Sequence, residues 1–281
     1  MTRIVTDTTV GVPLEMLAER DIPVVPQIVI FGEESYRDDT ELDTETFLSK
    51  LRASETLPKT AAPPPTLYAP IFERLAAEQP IICLHPSTDL SGTVRSATVA
   101  AADFPDLDIR VVDTRSIAAA MAAMVFEADR WAREGVDADT IIARVHDMIA
   151  RQRVYFLVDT LEYLHKGGRI GGAKALLGGL LQVKPLLTLR DGRVDALEQP
   201  RTHRRAVARM VELVLEECPP GPESHLALLH ADAEEEAQVI GRDLASKLGL
   251  DKVPAYQVPP AIVVHGGPGV LGAAFFTAST D

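Results

Sequence analysis

The sequence predicts an α/β fold in two lobes, with a mostly parallel sheet and crossover helices over residues 1–152 and a second α/β lobe over residues 153–281. Three observations carry this. Short apolar runs alternate with helix-patterned segments through the first half. Those runs are apolar almost without interruption, as strands covered on both faces are. Near residues 151–153 a second series begins, with a hairpin and a β-α-β order of its own. At 281 residues a single core is also close to its useful size limit, which favours two lobes.

Residues 4–6, 22–31, 81–84 and 109–112 read as the strands of the first lobe, with a helix over 91–102 between the last two. Residues 59–65 end in Pro63-Pro64-Pro65 and read as a loop before a helix over 67–76, because successive prolines cannot enter a helix interior. Two helices close the lobe. One, over 117–133, is rich in Ala and Met; the other starts near Asp139 and carries Ile141, Ile142, Val145, Met148 and Ile149 on one stripe.

The second lobe opens with a strand over 154–158, a glycine-punctuated stretch over 167–172 and an apolar run over 176–189. Strands over 186–189 and 193–197 flank Asp191-Gly192, a pair suited to a two-residue hairpin turn. A helix over 203–217 stops at Cys218-Pro219-Pro220-Gly221-Pro222. A strand over 226–229, a helix over 234–248, a strand over 262–264 and a last run over 270–277 complete the pattern.

Composition narrows the function classes. With 41 acidic against 28 basic side chains and a net charge of −13, wholesale neutralisation of nucleic-acid phosphates is not expected. The longest apolar run, over 117–126, is too short for ~30 Å of hydrocarbon, and the first residues already read as a strand with no leader before them. A cytoplasmic location without membrane insertion is the expectation. The two cysteines, Cys83 and Cys218, suit neither a disulfide framework nor a zinc site. Gly-Lys never occurs, so the Walker A loop is missing, and so is His-Glu-x-x-His.

Candidate chemistry gathers at four places. Ser87 to Thr93 follows a strand and precedes a helix, so hydroxyls and free N–H groups converge on an anion-binding position, or else Ser and Thr simply cap the helix. Gly92 in that turn permits close approach. The Lys59-Thr60-Ala61-Ala62-Pro63 segment either presents Thr60 or is a stiff connector. His265, read as following a strand in a glycine-rich loop, is either a ligand at a strand's carboxyl end or a structural imidazole. Ten basic residues against three acidic ones between Lys166 and Arg209 are either a solvated face or a patch for an anionic partner.

Five blocks in order resemble the DegV family of fatty-acid-binding proteins: Val5-Thr6-Asp7-Thr8-Thr9, Lys59-Thr60-x-x-Pro63, Leu90-Ser91-Gly92-Thr93, the run from Thr160 through Lys166-Gly167-Gly168-Arg169-Ile170, and His265-x-Gly267-Pro268-Gly269-x-Leu271-Gly272. The likeness covers essentially the whole chain. It implies a two-lobed DegV-like fold holding one long-chain fatty acid, its tail in an apolar tunnel and its carboxylate at the lobe junction. It also implies a carrier without catalytic residues, metal or cofactor, which presents the acid to the catalytic subunit of an ATP-dependent fatty acid kinase. Carried over by position, Thr60, Ser91, Gly92, Arg169 and His265 would surround the carboxylate, and Met121, Met124, Leu176, Leu177 and Leu180 are candidates for the tunnel wall. The chain departs from the family where Thr-Ser-Gln-Pro is common and Thr60-Ala61-Ala62-Pro63 stands instead. Two rival classes fit part of the pattern: a serine-dependent acyl ester hydrolase using Ser91 and His265, and a lipid-sensing regulator. The Asp89-Leu90-Ser91 order lacks the Gly-x-Ser-x-Gly elbow of the hydrolase.

Overall fold

Along the first 151 residues come β1 (Arg3–Asp7), α1 (Leu14–Ala18), β2 (Val24–Val25), β3 (Ile28–Phe31), β4 (Glu34–Arg37), α2 (Thr44–Ala53), β5 (Lys59–Ala61), α3 (Ala69–Leu75), β6 (Ile81–His85), α4 (Thr93–Ala102), β7 (Ile109–Asp113), α5 (Ala118–Arg133) and α6 (Ala138–Arg151). The computed structural model describes residues 1–177 and 184–278. It divides into one unit of Met1–Ala150 with Pro259–Ala261, and a second of Arg151–Val258 with Ile262–Asp281.

In the first unit the strands run in the order β2-β1-β6-β7, every pair parallel, as the apolar runs predict. Val5, Ile81 and Cys83 pack with Tyr68, Phe72, Leu75, Ala97 and Ala100 on one face. Their sequence neighbours Ile4, Ile82 and Leu84 are equally buried, because α5 lies against β1 and β6. A second sheet, β4-β3-β5, is antiparallel and escaped the sequence reading. Residues 59–65 are therefore not all loop. Lys59–Ala61 form edge strand β5, since proline's preference for an extended predecessor is compatible with pairing at a sheet edge.

The second unit contains β8 (Gln152–Leu157), α7 (Glu162–Lys166), β9 (Leu186–Arg190), β10 (Arg193–Glu198), α8 (His203–Glu217), β11 (Ala227–His230), α9 (Glu234–Leu248), β12 (Ala255–Gln257), most of α10 (Pro260–Gly266) and β13 (Leu271–Phe276). Its six strands run β10-β9-β8-β13-β11-β12, antiparallel except for β11 and β12. All six residues of β13, near the sheet's middle, are buried. Met210 and Val214 of α8 and Leu244 of α9 pack onto Leu157, Leu228, Leu271 and Phe275. The β9-β10 hairpin turns on Asp191 and Gly192 with φ of 49° and 80°, the two positive values its type demands.

Residues 262–264 are not a strand. They belong to α10, which begins at Pro260, a residue whose fixed φ suits the first helical position. Four consecutive apolar residues carry no period that separates helix from strand. The parallel partner of β11 is instead β12, a short strand of Ala255, Tyr256 and Gln257. Cys83 and Cys218 are buried and unbridged, and burial pushes the Cys83 thiol up to about 12. Among the described residues, no helix is long and apolar enough to cross a membrane, and no group of three His, Cys, Asp or Glu side chains is placed to hold a metal ion.

Candidate functional site

Thr60, Ser91 and Gly92 belong to the first unit, Arg169 and His265 to the second. The turn carrying Ser91 is built by buried Ser87. Its carbonyl accepts the N–H groups of Leu90 and Ser91, both at 2.9 Å, and its own N–H donates to the Ser116 carbonyl. Its Oγ accepts from the Asp89 N–H at 3.2 Å. Ser91 is thereby delivered to the start of α4, where Gly92 is the cap residue and no side chain caps the helix. The capping role that sequence left open for Ser91 is not the one observed: its Oγ stands 2.7 Å from Thr93 Oγ1. A helix start without a side-chain cap favours an anionic group.

Thr60 is the middle residue of β5, paired with Val29 and half-buried. The chain beyond it runs past the α4 start, since a Cβ placed on Gly92 would lie 3.5 Å from the Ala62 methyl. The structure thus brings the Thr60 segment and the Ser91 turn together within one unit.

Behind Ser91 lies a buried polar chain that sequence reading missed. Thr93 Oγ1 accepts from Gln27 Nε2 at 3.0 Å, and the same nitrogen donates to Asp7 Oδ1 at 3.0 Å. Asp7 also accepts from the Thr9 N–H, the Thr9 hydroxyl and, at 2.7 Å, His85 Nδ1. The Tyr68 hydroxyl reaches His85 Nε2 at 3.3 Å. Asp7, Gln27, Tyr68, His85 and Thr93 are all buried. A signal existed: Gln27 is the one amide in the otherwise apolar run over 22–31, and Asp7 ends the first strand.

In the second unit Arg169 follows α7 and is half-buried, its Nη1 donating to the Gly167 carbonyl at 2.7 Å. Burial lowers its pKa. His265 lies in the last turn of α10 rather than after a strand. Burial first, and the Arg169 charge second, push its pKa down to about 4, leaving a neutral imidazole near pH 7. The glycines of both motifs are explained by close approach. A Cβ on Gly167 would fall 2.3 Å from His265 Nδ1, and one on Gly267 would fall 2.6 Å from the Tyr163 ring. The structure therefore brings Arg169 and His265 together within their own unit.

The basic segment is partly neutralised, because Lys166, Lys184, Arg190 and Arg209 pair with Glu162, Asp159, Asp195 and Glu198. Arg201, Arg204 and Arg205 are exposed around the start of α8. Of the tunnel candidates, Met121 and Met124 are fully buried on α5, Leu176 is half-buried, Leu177 is exposed, and Leu180 lies outside the described residues.

The model of the DegV family, whose description is of an uncharacterised protein, matches residues 1–278. The chain belongs to the DegV family. A DegV domain-containing protein of Halalkalibacterium halodurans is 34% identical over 275 residues, 97% of each chain. Among solved structures, the fatty-acid-binding DegV family protein of Thermus thermophilus superposes with a TM-score of 0.88 at 31% identity, and DegV of Bacillus subtilis, a fatty acid binding protein, with 0.89 at 30%. Each comparison covers 99% of both chains. The α/β architecture expected from the DegV likeness is that of these proteins.

Proposed function

We propose that this DegV protein binds one long-chain fatty acid, with its carboxylate taken by the Thr60 and Ser91 hydroxyls, the Gly92 N–H, Arg169 and His265, and delivers it to a separate ATP-dependent fatty acid kinase. The observation that carries the reading is the Ser91 turn: a hydroxyl not used as a cap, at a helix start without a side-chain cap, with the Thr60 segment against it. Fatty acid binding by the Thermus and Bacillus relatives supports the ligand class. The exposed arginines at the start of α8 are suited to an acidic partner surface.

The energetics are favourable. Burying an acyl chain contributes about 0.8 kcal/mol per methylene, so a fourteen-methylene tail supplies roughly 11 kcal/mol before ordering costs. Hydrogen bonds at the head group then fix register and spare a buried carboxylate from going unpartnered. The carrier reading is further supported by the environment of Ser91, whose partner is a threonine hydroxyl, while the buried imidazole of its unit, His85, is engaged by Asp7 and Tyr68.

Denaturing organic extraction of the purified protein, followed by mass spectrometry, tests the ligand. Near-stoichiometric fatty acid is expected, and Ser91→Ala combined with His265→Ala is expected to reduce both its retention and acyl phosphate formation by an added fatty acid kinase. A protein that is empty and takes up none of a panel of fatty acids sinks the reading. Covalent labelling of Ser91 by a fluorophosphonate would move it to the hydrolase class.

A further inference from the structure

The polar chain behind Ser91 has a direction. Asp7 Oδ1 receives the Thr9 N–H, the Thr9 hydroxyl and Gln27 Nε2, so it is the amide nitrogen of Gln27, not its oxygen, that faces Asp7. That nitrogen has two protons. One goes to Asp7 and the other to Thr93 Oγ1, which leaves Thr93 an acceptor toward Gln27. Thr93 is fully buried and its hydroxyl proton has one remaining mapped partner, Ser91 Oγ at 2.7 Å. Were Ser91 to donate to Thr93 instead, the Thr93 proton would be buried without an acceptor, an arrangement folded proteins avoid. Ser91 therefore accepts from Thr93, and its own proton is left for a group outside the chain.

We propose that Gln27 and Thr93 are positioning residues that polarise the Ser91 hydroxyl as a donor, so that the site favours a head group that only accepts and is charged, a carboxylate, over one whose own proton then finds no acceptor at Ser91, such as the alcohol of the same chain length. The relay rests on the fatty acid reading above and extends it from ligand class to head-group selectivity. Neither residue was a candidate ligand from sequence, and neither needs to touch the acid.

The test measures the affinities of palmitate and hexadecanol by competition against a fluorescent fatty acid, in the full chain, for wild type, Thr93→Val, Thr93→Ser and Gln27→Met. One directed hydrogen bond to a charged group corresponds to about a tenfold preference. Thr93→Val and Gln27→Met are each expected to lower the palmitate-to-hexadecanol preference about tenfold, and Thr93→Ser, which keeps the hydroxyl, to hold it near wild type. A purely structural role for Thr93 would weaken both ligands alike, and an unchanged preference in both Thr93→Val and Gln27→Met would overturn the relay while leaving fatty acid binding intact. Failure of the wild-type chain to bind palmitate at all would overturn the fatty acid reading and the relay with it. Should Thr93→Val fail to fold, Gln27→Met carries the same comparison.

Discussion

Replacing Asp38 by asparagine isolates the cost of a buried carboxyl in the wall of the first unit. Asp38 is 8% exposed. One of its oxygens accepts from the Thr8 hydroxyl at 2.7 Å and the Gln27 N–H at 2.9 Å, and Oδ2 is a buried atom with no hydrogen-bond partner. Burial is the main cause, with the charge of Asp7 adding to it, of a pKa raised from 3.8 to about 7. The unfolded chain thus releases this proton near pH 4 and the folded unit near pH 7. Between them the folded state binds the extra proton, so stability falls as pH rises: the contribution is fully present below about pH 4 and gone above about pH 7. At about 1.36 kcal/mol per pH unit, a window of roughly three units amounts to about 4 kcal/mol. Asp38→Asn retains an acceptor oxygen for Thr8 and Gln27 and cannot ionise. Urea unfolding followed by the fluorescence of Trp131, the chain's one tryptophan, buried on α5, reads the first unit. From pH 4 to 8 the stability of Asp38→Asn relative to wild type is expected to rise by up to about 4 kcal/mol. A difference between the two proteins that does not change with pH would refute the reasoning.

Two further substitutions probe the packing that supports the ligand groups. Gly167→Ala puts a methyl 2.3 Å from His265 Nδ1, so a loss of about 1–3 kcal/mol in thermal or urea stability is expected together with displacement of the ring. An NMR titration of His265 would then move from about 4 back toward the ordinary histidine value of 6.5, and an unmoved titration would contradict the close approach. Tyr68→Phe removes the hydroxyl that meets His85 Nε2 in the buried network while keeping the ring. It is expected to cost about 1–2 kcal/mol in urea unfolding, and a change below about 0.3 kcal/mol would mean the bond contributes nothing net.

The parallel sheet of the first unit was legible because its strands are buried on both faces and so are apolar throughout, and α8 and α9 because their apolar stripes are regular. The β9-β10 hairpin was legible from Asp191-Gly192 alone. What sequence missed was short or polar. β5 is three residues beside a run of prolines, β12 is three residues between prolines, and the apolar residues of α10 are too few to show a period. The candidate site residues were drawn from the ordered blocks of the DegV likeness, not from spacing. The relay was missed because its members come from β1, the β2-β3 connection, β6 and α4, so no local pattern joins Asp7, Gln27, His85 and Thr93.

The grouping of Pro259–Ala261 with the first unit has a consequence for the order of biosynthesis. A Cβ on Gly11 would lie 3.7 Å from the Pro259 ring, so a segment separated from Ala150 by more than a hundred residues of the second unit lies beside the turn that follows β1. The first unit cannot reach its final form while the ribosome is still producing the second. Residues 1–150 precede Pro259–Ala261 by more than a hundred residues of the second unit, so the contacts those three residues make in the first unit close only once that stretch has been made. An N-terminal fragment cut at the unit boundary would be a chain missing part of its own core, and completion of this unit is tied to synthesis of the one that follows it.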